Sequence, residues 1–417
     1  MTSTPPATPS LVRRLGLVDA IVIGLGGMLG AGVFVVFGPA ADAAGSALPI
    51  ALLVAVVVAY CNATSSARLA ARYPTSGGTY TYGRERLGPF WGFLAGWGFI
   101  VGKTASCAAI ALTVGLYLWP VNAHLVAAIA AIVVAGIDIS GITKSLWATR
   151  VIVLIVLVVL IGVFVVAGPT ALANGIPSIA GSGVTPFGIL TGAALLFFAF
   201  AGYARIATLG EEVRDPSRTI PRAIPIALII VLVLYALTAV VVEGVLGIAM
   251  LSASATPVVD AVAAVGAHWF TPVVVIGAGI AAFGSLLSVM LGNSRTILAM
   301  ARNSDLPPVL ARVDARTRTP IWAISLIGAI TVVIVLVADV RDAIGFSAFA
   351  VLVYYAIANA AALTLPGRWT RRVIPIIGLI GCVALACALP PASIVAGGVV
   401  LLIGAVIYGL RLLVRRS

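Results

Sequence analysis

The sequence predicts an all-α polytopic membrane protein of twelve transmembrane helices, and three observations predict it. Of 417 residues, 62% are hydrophobic and 9% charged, with a mean hydropathy of +1.19; an ordinary soluble domain carries about a quarter charged residues. Apolar runs of roughly 20 residues, the length needed to cross about 30 Å of hydrocarbon, recur from end to end. Basic residues collect in alternate connections between those runs. A water-soluble globular enzyme is excluded.

In chain order, a polar tail at 1–14 with Arg13 and Arg14 precedes the first span, 17–37. No short apolar core with a cleavage site precedes it, so the first helix is expected to stay in the protein. The second span, 47–70, ends among Arg68, Arg72, Arg84 and Arg86, and the third, 87–118, follows them. Lys144 and Arg150 separate the fourth, 125–142, from the fifth, 151–167. A polar, Gly-rich connection at 174–185 leads to the sixth, 187–209, and Arg214, Arg218 and Arg222 precede the seventh, 223–246. The stretch 256–268 reads as an amphipathic helix on the outer surface before the eighth span, 270–301. Arg295, Arg302, Arg312, Arg316 and Arg318 lie between it and the ninth, 321–338. The tenth, 343–365, is followed by Arg368, Arg371 and Arg372, then by the eleventh, 373–389, and twelfth, 394–413, with Arg411, Arg415 and Arg416 at the end. Placing the N-terminus inside puts 22 of the 25 basic residues on the cytoplasmic side, leaving Arg341 outside and Lys103 and Arg205 within spans. A missed or spurious helix would scramble the pattern, so both termini are expected in the cytoplasm. Short loops and termini point to a bacterial inner membrane.

The same distribution explains the net charge of +12 and the pI of about 10.1 without a nucleic-acid partner, since the charges form no single polar face. Cys61, Cys107, Cys382 and Cys387 sit in apolar runs without metal-ligand spacing and read as structural thiols. His124 and His268 lie on different helices, and no HExxH motif or Cys cluster exists, so neither a metal nor a cofactor is expected.

In hydrocarbon every backbone polar group needs a partner, so an irregular backbone survives only against protein or a watery cavity. The first span places Gly24, Gly26, Gly27, Gly30 and Gly32 near mid-membrane, and the sixth places Gly202 at similar depth but approached from the opposite side. Spans 1 and 6 open two consecutive five-helix halves of opposite sense, the pattern of an inverted repeat. Halves at 15–170 and 185–366 are expected, with two further helices in 371–417. Close helix packing through small residues is the competing explanation of the glycines.

Four segments resemble one family in its order: GMLGAGVF in the first span, ARYPTSGGTYTYGRERLGPFWGFLAGW at 71–97, FFAFAGYARIATLGEEVRDPSRTIPRAI at 197–224 and SRTILAMARNSDLPPVLARVDARTRTP at 294–320. The chain thus resembles amino acid permeases of the amino acid, polyamine and organocation transporter superfamily, with a fold of the leucine-transporter type. The resemblance implies a secondary active transporter working by alternating access. Its substrate carboxylate would sit on the N–H groups of Gly30, Ala31 and Gly32, and its ammonium on carbonyls near Met28, Leu29, Phe198, Ala199 and Ala201. Half-helix ends carry partial charges of the right sign for such a zwitterion. Phe198, Phe200 and Tyr203 flank the Gly202 break, either as a lid or as packing aromatics. With no acidic residue at that depth, a neutral amino acid of modest size is expected.

Lys103 is the one charge in the third span. A central lysine costs roughly 2.5–3.5 kcal/mol on insertion scales and therefore faces a cavity or a partner. It reads as a proton carrier, as a fixed ammonium, or as a structural tether to carbonyls. Ser285 and Ser288, a turn apart in the eighth span, fall where the resemblance places coupling-ion hydroxyls, with bonding back to their own helix as the alternative. Arg205 is expected in an inner-gate ion pair with Asp19 or Glu211, and Glu211, Glu212, Arg214, Asp215 and Arg218 form a mixed-charge cluster after the break. A proton is the expected coupling ion. Obligate exchange of amino acids or amines on the same fold is the alternative, ahead of an intramembrane enzyme or a non-transporting scaffold.

Overall fold

A computed structural model describes residues 15–73, 77–141, 146–175, 184–207, 213–366 and 371–416. Its elements are helices; the described residues contain no strand, only an isolated bridge between Leu15 and Val213. Helix α1 (Leu17–Met28), α2 (Gly32–Val35) and α3 (Phe37–Ala44) follow one another, then α4 (Leu48–Arg72). A short α5 (Thr79–Leu87) leads into α6 (Pro89–Leu118), followed by α7 (Ala123–Ile139) and α8 (Leu146–Ala173). The sixth span is α9 (Pro186–Phe200), a 3-10 turn over Ala201–Tyr203 and α10 (Ala204–Ala207). Then come α11 (Pro216–Ala253), α12 (Pro257–Ala264), α13 (Thr271–Arg302), α14 (Ile321–Val337), α15 (Val340–Leu363), α16 (Val373–Cys387) and α17 (Pro391–Arg416).

Among the described residues, ten helical stretches are long and apolar enough to cross a membrane. The ninth and eleventh predicted spans are shorter apolar helices of 17 and 15 residues, about 25 and 22 Å long at 1.5 Å per residue. Each ends within two residues of its predicted limit, for a local reason. Ala338 turns extended at φ −109° and ψ 150°, and α16 ends before the Pro390–Pro391 pair. The predicted surface helix at 256–268 is α12, but it is only partly a surface element: Pro257, Val258, Ala261 and Val262 are buried where it packs on α2, α8, α11 and α13. The expected connection at 174–185 lies largely outside the described residues.

Small residues let the bundle close. Gly102 is pressed so near α15 that an added Cβ would stand 2.8 Å from the Ala350 Cβ. The packing partners follow an exchange rule. α1 lies against α11 as α9 lies against α4, and α8 lies against α13 as α15 lies against α6. α8 also meets α11 as α15 meets α4, while α7 with α14 and α6 with α13 pair across the same relation. α16 packs on α15, α4 and α9, and α17 on α15 and α6, outside this scheme.

Described basic residues from several connections share one face. Arg68 donates to the Arg371 carbonyl at 2.7 Å, the Arg86 Nε to Thr364 at 2.8 Å, and Arg150 pairs with Asp19 at 2.5 Å. Arg84, at 3.1 Å, and Arg411 both pair with Asp305. Arg341 pairs with Asp42 at 3.3 Å at the other end of α15.

Candidate substrate site

The first span breaks after Met28. Leu29 leaves helical geometry at φ −79° and ψ 39°, and helix resumes only at Gly32. Its ladder is interrupted there. The N–H groups of Gly30, Ala31 and Gly32 have no hydrogen-bond acceptor among the described residues, so three donors converge at the start of a half-helix. The sixth span breaks at the 3-10 turn around Gly202.

The two breaks touch each other through bare backbone. A Cβ on Gly27 would lie 2.9 Å from the Gly202 carbonyl oxygen, and one on Gly202 would overlap the Gly27 carbonyl. Gly30 is likewise seated on Ser285 of α13, and a Cβ on Gly32 would stand 2.7 Å from the Ala199 Cβ. These glycines do what the packing explanation requires and also sit at the breaks. Tyr235 of α11 joins the two spans: its hydroxyl donates to the Met28 carbonyl at 2.6 Å and stands 3.2 Å from the Ala199 carbonyl.

Two connected cavities occupy the junction. The upper is lined by Met28, Gly30, Ala31, Gly32, Ser106, Ile110, Phe198, Ala199 and Ser285. The lower is lined by Phe99, Ala201, Arg205, Ser288, Gly292, Arg295 and Thr296. Gly27, Lys103, Gly202 and Val289 belong to both walls. Arg295 is exposed, so the lower cavity reaches water on the basic face. Toward the other face, the Tyr117 hydroxyl donates to the Phe34 carbonyl at 2.6 Å, and the Phe34 and Tyr117 rings meet edge to face at 5.8 Å.

The predicted residues are brought together unevenly. Leu29 is buried beside the cradle without lining either cavity. Phe198 faces the upper cavity, whereas Phe200 packs on Tyr235 and Tyr203 on Tyr355. Lys103 is 8% exposed, with its ammonium 6.0 Å from the centre of the Phe99 ring. Ser285 and Ser288 open into different cavities. Among the described residues Asp19 forms its ion pair with Arg150, and it also accepts from the Gly16 N–H at 2.9 Å; Arg205 lies in the cavity wall against Gly292. Glu211 and Glu212 lie outside the described residues. The chain segments leading to α1 and α11 are tied where the Arg214 N–H donates to the Leu15 carbonyl at 2.9 Å.

Sequence reasoning missed Tyr235, Ser106 and Asn293. Ser106 bonds Ser347 of α15 at 2.6 Å, and the Asn293 amide donates to Thr104 at 3.0 Å and to the Ile100 carbonyl at 3.1 Å, tying α13 to α6 beside Lys103. Asn293 opens the polar run Asn293–Ser294–Arg295–Thr296, which reads as the end of a span and so hid its role; nothing in the sequence marked Tyr235.

A bundle of membrane-crossing helices with a central cavity at two interrupted spans is the framework of a membrane transporter. The family model described as amino acid permease matches residues 15–411, and the chain belongs to that family, within the amino acid, polyamine and organocation superfamily. A protein named as an uncharacterized transporter in Mycobacterium tuberculosis is 59% identical over 409 residues, covering 97% of this chain and 93% of that one. The branched-chain amino acid permease BcaP of Bacillus subtilis is 28% identical over 77% of this chain and 74% of its own. A vacuolar cationic amino acid transporter of Arabidopsis thaliana is 29% identical over 80% of this chain and 60% of its own.

Proposed function

We propose that the chain is a secondary active permease that carries a neutral amino acid of modest size across the membrane by alternating access, with a proton as the coupling ion. The observation that carries this reading is the cradle: three N–H groups without acceptors open into a cavity where two broken spans meet. A carboxylate suits those donors, and carbonyls at the facing half-helix ends suit an ammonium. No acidic side chain lines either cavity among the described residues, which disfavours a cationic side chain. The relatives' names divide between branched-chain and cationic amino acids, so membership of the family leaves the side chain open.

The exchange rule in the packing supports two inverted five-helix halves, 15–170 and 185–366, with the helices of 371–417 appended. Alternating access then becomes motion of one half against the other around a shared site. With the basic face in the cytoplasm of a bacterial inner membrane, the cavity as observed opens inward. Asp19, Arg205 and Glu211 belong to the inner gate in this scheme, the first through Arg150. Lys103 sits in the wall common to both cavities, where gain and loss of a proton would be felt by the substrate.

Labelled amino acid uptake into proteoliposomes, empty or preloaded, under an imposed pH gradient tests the scheme. Uptake into empty vesicles driven by an inward proton gradient is expected; uptake confined to preloaded vesicles would establish the exchanger instead. Lys103→Met should abolish the dependence on the gradient, and gradient-driven uptake by that variant would remove Lys103 as the coupling group.

A further inference from the structure

We propose that a polar seam buried between α4, α15 and α16, beside the sixth-span break, binds a cluster of ordered waters, and that exchange of these waters lets the break shift against α15 during transport. The water site stands by itself; its part in transport rests on the permease reading above. Asn62 of α4 and Asn359 of α15 are fully buried. The Asn359 amide donates to the Asn62 carbonyl oxygen at 2.6 Å and to the Tyr355 carbonyl at 2.9 Å, and the Cys382 thiol of α16 donates to the same Asn62 oxygen at 3.2 Å. That leaves the Asn62 amide nitrogen without an acceptor and the Asn359 oxygen without a donor. Ser65 and Ser66, one turn further along α4 from Asn62, are buried too, and neither hydroxyl bonds back to its own helix, the usual recourse of a helical serine. Tyr355 stands one turn before Asn359 with its ring 5.3 Å from that of Tyr203, and their two buried hydroxyls interact without hydrogen-bond geometry.

Six buried side-chain atoms thus make no hydrogen bond among the described residues: Asn62 Nδ2, Ser65 Oγ, Ser66 Oγ, Tyr203 Oη, Tyr355 Oη and Asn359 Oδ1. Leaving so many bare is costly, and their chemistry fixes what covers them. Asn62 offers a donor, Asn359 an acceptor, and the four hydroxyls either role. A cation would be repelled by the amide hydrogens and an anion by the amide oxygen, and none of the six groups carries a charge to hold an ion. Water supplies donors and acceptors together, and two to four such partners are what a buried water needs. The position of the seam gives the waters a task. Tyr355 meets the Phe197 ring before the break, edge to face at 5.8 Å, and the Tyr203 ring after it, and Tyr203 follows Gly202 in the wall of both cavities. Water-mediated bonds can be exchanged one for another as that turn shifts, whereas a direct bond between buried groups would have to break with nothing in its place.

Hydroxyl radicals generated by X-rays oxidise buried side chains that touch bound water, so footprinting of the purified full-length protein in lipid nanodiscs tests the site directly. Tyr203 and Tyr355 should be oxidised several-fold faster than Tyr117, a likewise buried tyrosine whose hydroxyl already bonds the Phe34 carbonyl. Asn62→Leu combined with Asn359→Leu should bring both rates down to that of Tyr117 and slow amino acid uptake into proteoliposomes several-fold, with binding affinity unchanged. Asn359→Leu alone serves if the pair does not fold. Asn359→Ser, which keeps a polar group in the seam, should keep both the oxidation and the uptake. Wild-type rates no faster than that of Tyr117 overturn the water site, and full uptake by a leucine variant that has lost the oxidation overturns its part in transport. Binding of no amino acid by wild type would overturn the permease reading and the transport role with it, while the oxidation of Tyr203 and Tyr355 still decides the water site.

Discussion

Gly202 carries no side chain because the Gly27 carbonyl occupies the space that a Cβ would need. Two backbones pressed together at mid-bundle leave no flexible neighbour to give way, so Gly202→Ala should destabilise by about 1–3 kcal/mol, the range for overpacking a core. A lowered unfolding midpoint with amino acid binding lost together is the expected result. Tyr235 supplies the other single-residue test. Its hydroxyl bridges the Met28 and Ala199 carbonyls, one from each break. Tyr235→Phe leaves a buried acceptor without its donor, at a cost of about 1–3 kcal/mol. Because the hydroxyl holds the two carbonyls in place, affinity measured by calorimetry should fall while the protein remains folded. An unchanged affinity would show that the bridge plays no part in shaping the ammonium end of the cradle. The glycines could be read from sequence because they depart from the apolar pattern at a depth where departures are informative. Tyr235 could not, since a tyrosine in a long apolar helix shows nothing of what its hydroxyl reaches.

At the scale of elements, the basic face is fastened where three of them meet a single carboxylate. Asp305, after α13, is 3% exposed; it accepts from Tyr80 of α5 at 2.6 Å and pairs with Arg84 of α5 and Arg411 of α17. Burial and the neighbouring Asp305 carboxylate push the Tyr80 phenol above its usual range, so it stays a donor at any working pH. Breaking a fully buried pair costs about 3–5 kcal/mol. With the Arg84 side chain 34% exposed, Asp305→Asn should cost less, about 2–3 kcal/mol. A lowered melting temperature and earlier proteolysis near Arg411, with binding at the cradle retained, would report that loss. The long apolar helices were legible in the sequence, because the bilayer leaves helix as the one way to satisfy an isolated segment's backbone; the short α3 and α5, which fall in the predicted connections between spans, were not. Lengths were legible for α14 and α16, which end one and two residues before the predicted limits of 338 and 389, because Asp339 and the Pro390–Pro391 pair mark those ends in the sequence itself; α11, at Pro216–Ala253, runs past the predicted 223–246 at both ends. The partner of Asp19 was also out of reach, because Arg150 is 131 residues away in the chain.

For the whole molecule, the alternation of basic residues makes a directional prediction. With all four native cysteines replaced, a cysteine at exposed Val121, between α6 and α7, should react with an impermeant maleimide added to intact cells. One at Ser417 should react only after lysis. Labelling of the Ser417 position from outside, with the Val121 position labelled only after lysis, would reverse the orientation assigned to the cavity mouth. The sequence by itself determined the solvent, the long apolar helices, their order and the places along the chain where two of them are interrupted, since composition, run length and charge alternation are one-dimensional properties that a bilayer reads directly. Only the tertiary structure decided that the interruptions touch, that Tyr235 joins them, that Asp19 turns to Arg150, and that Lys103, Arg205 and Arg295 surround connected cavities. Each of those depends on which faces of helices far apart in the chain are turned toward one another, and a hydrophobic pattern that is apolar on every side leaves that rotation unspecified.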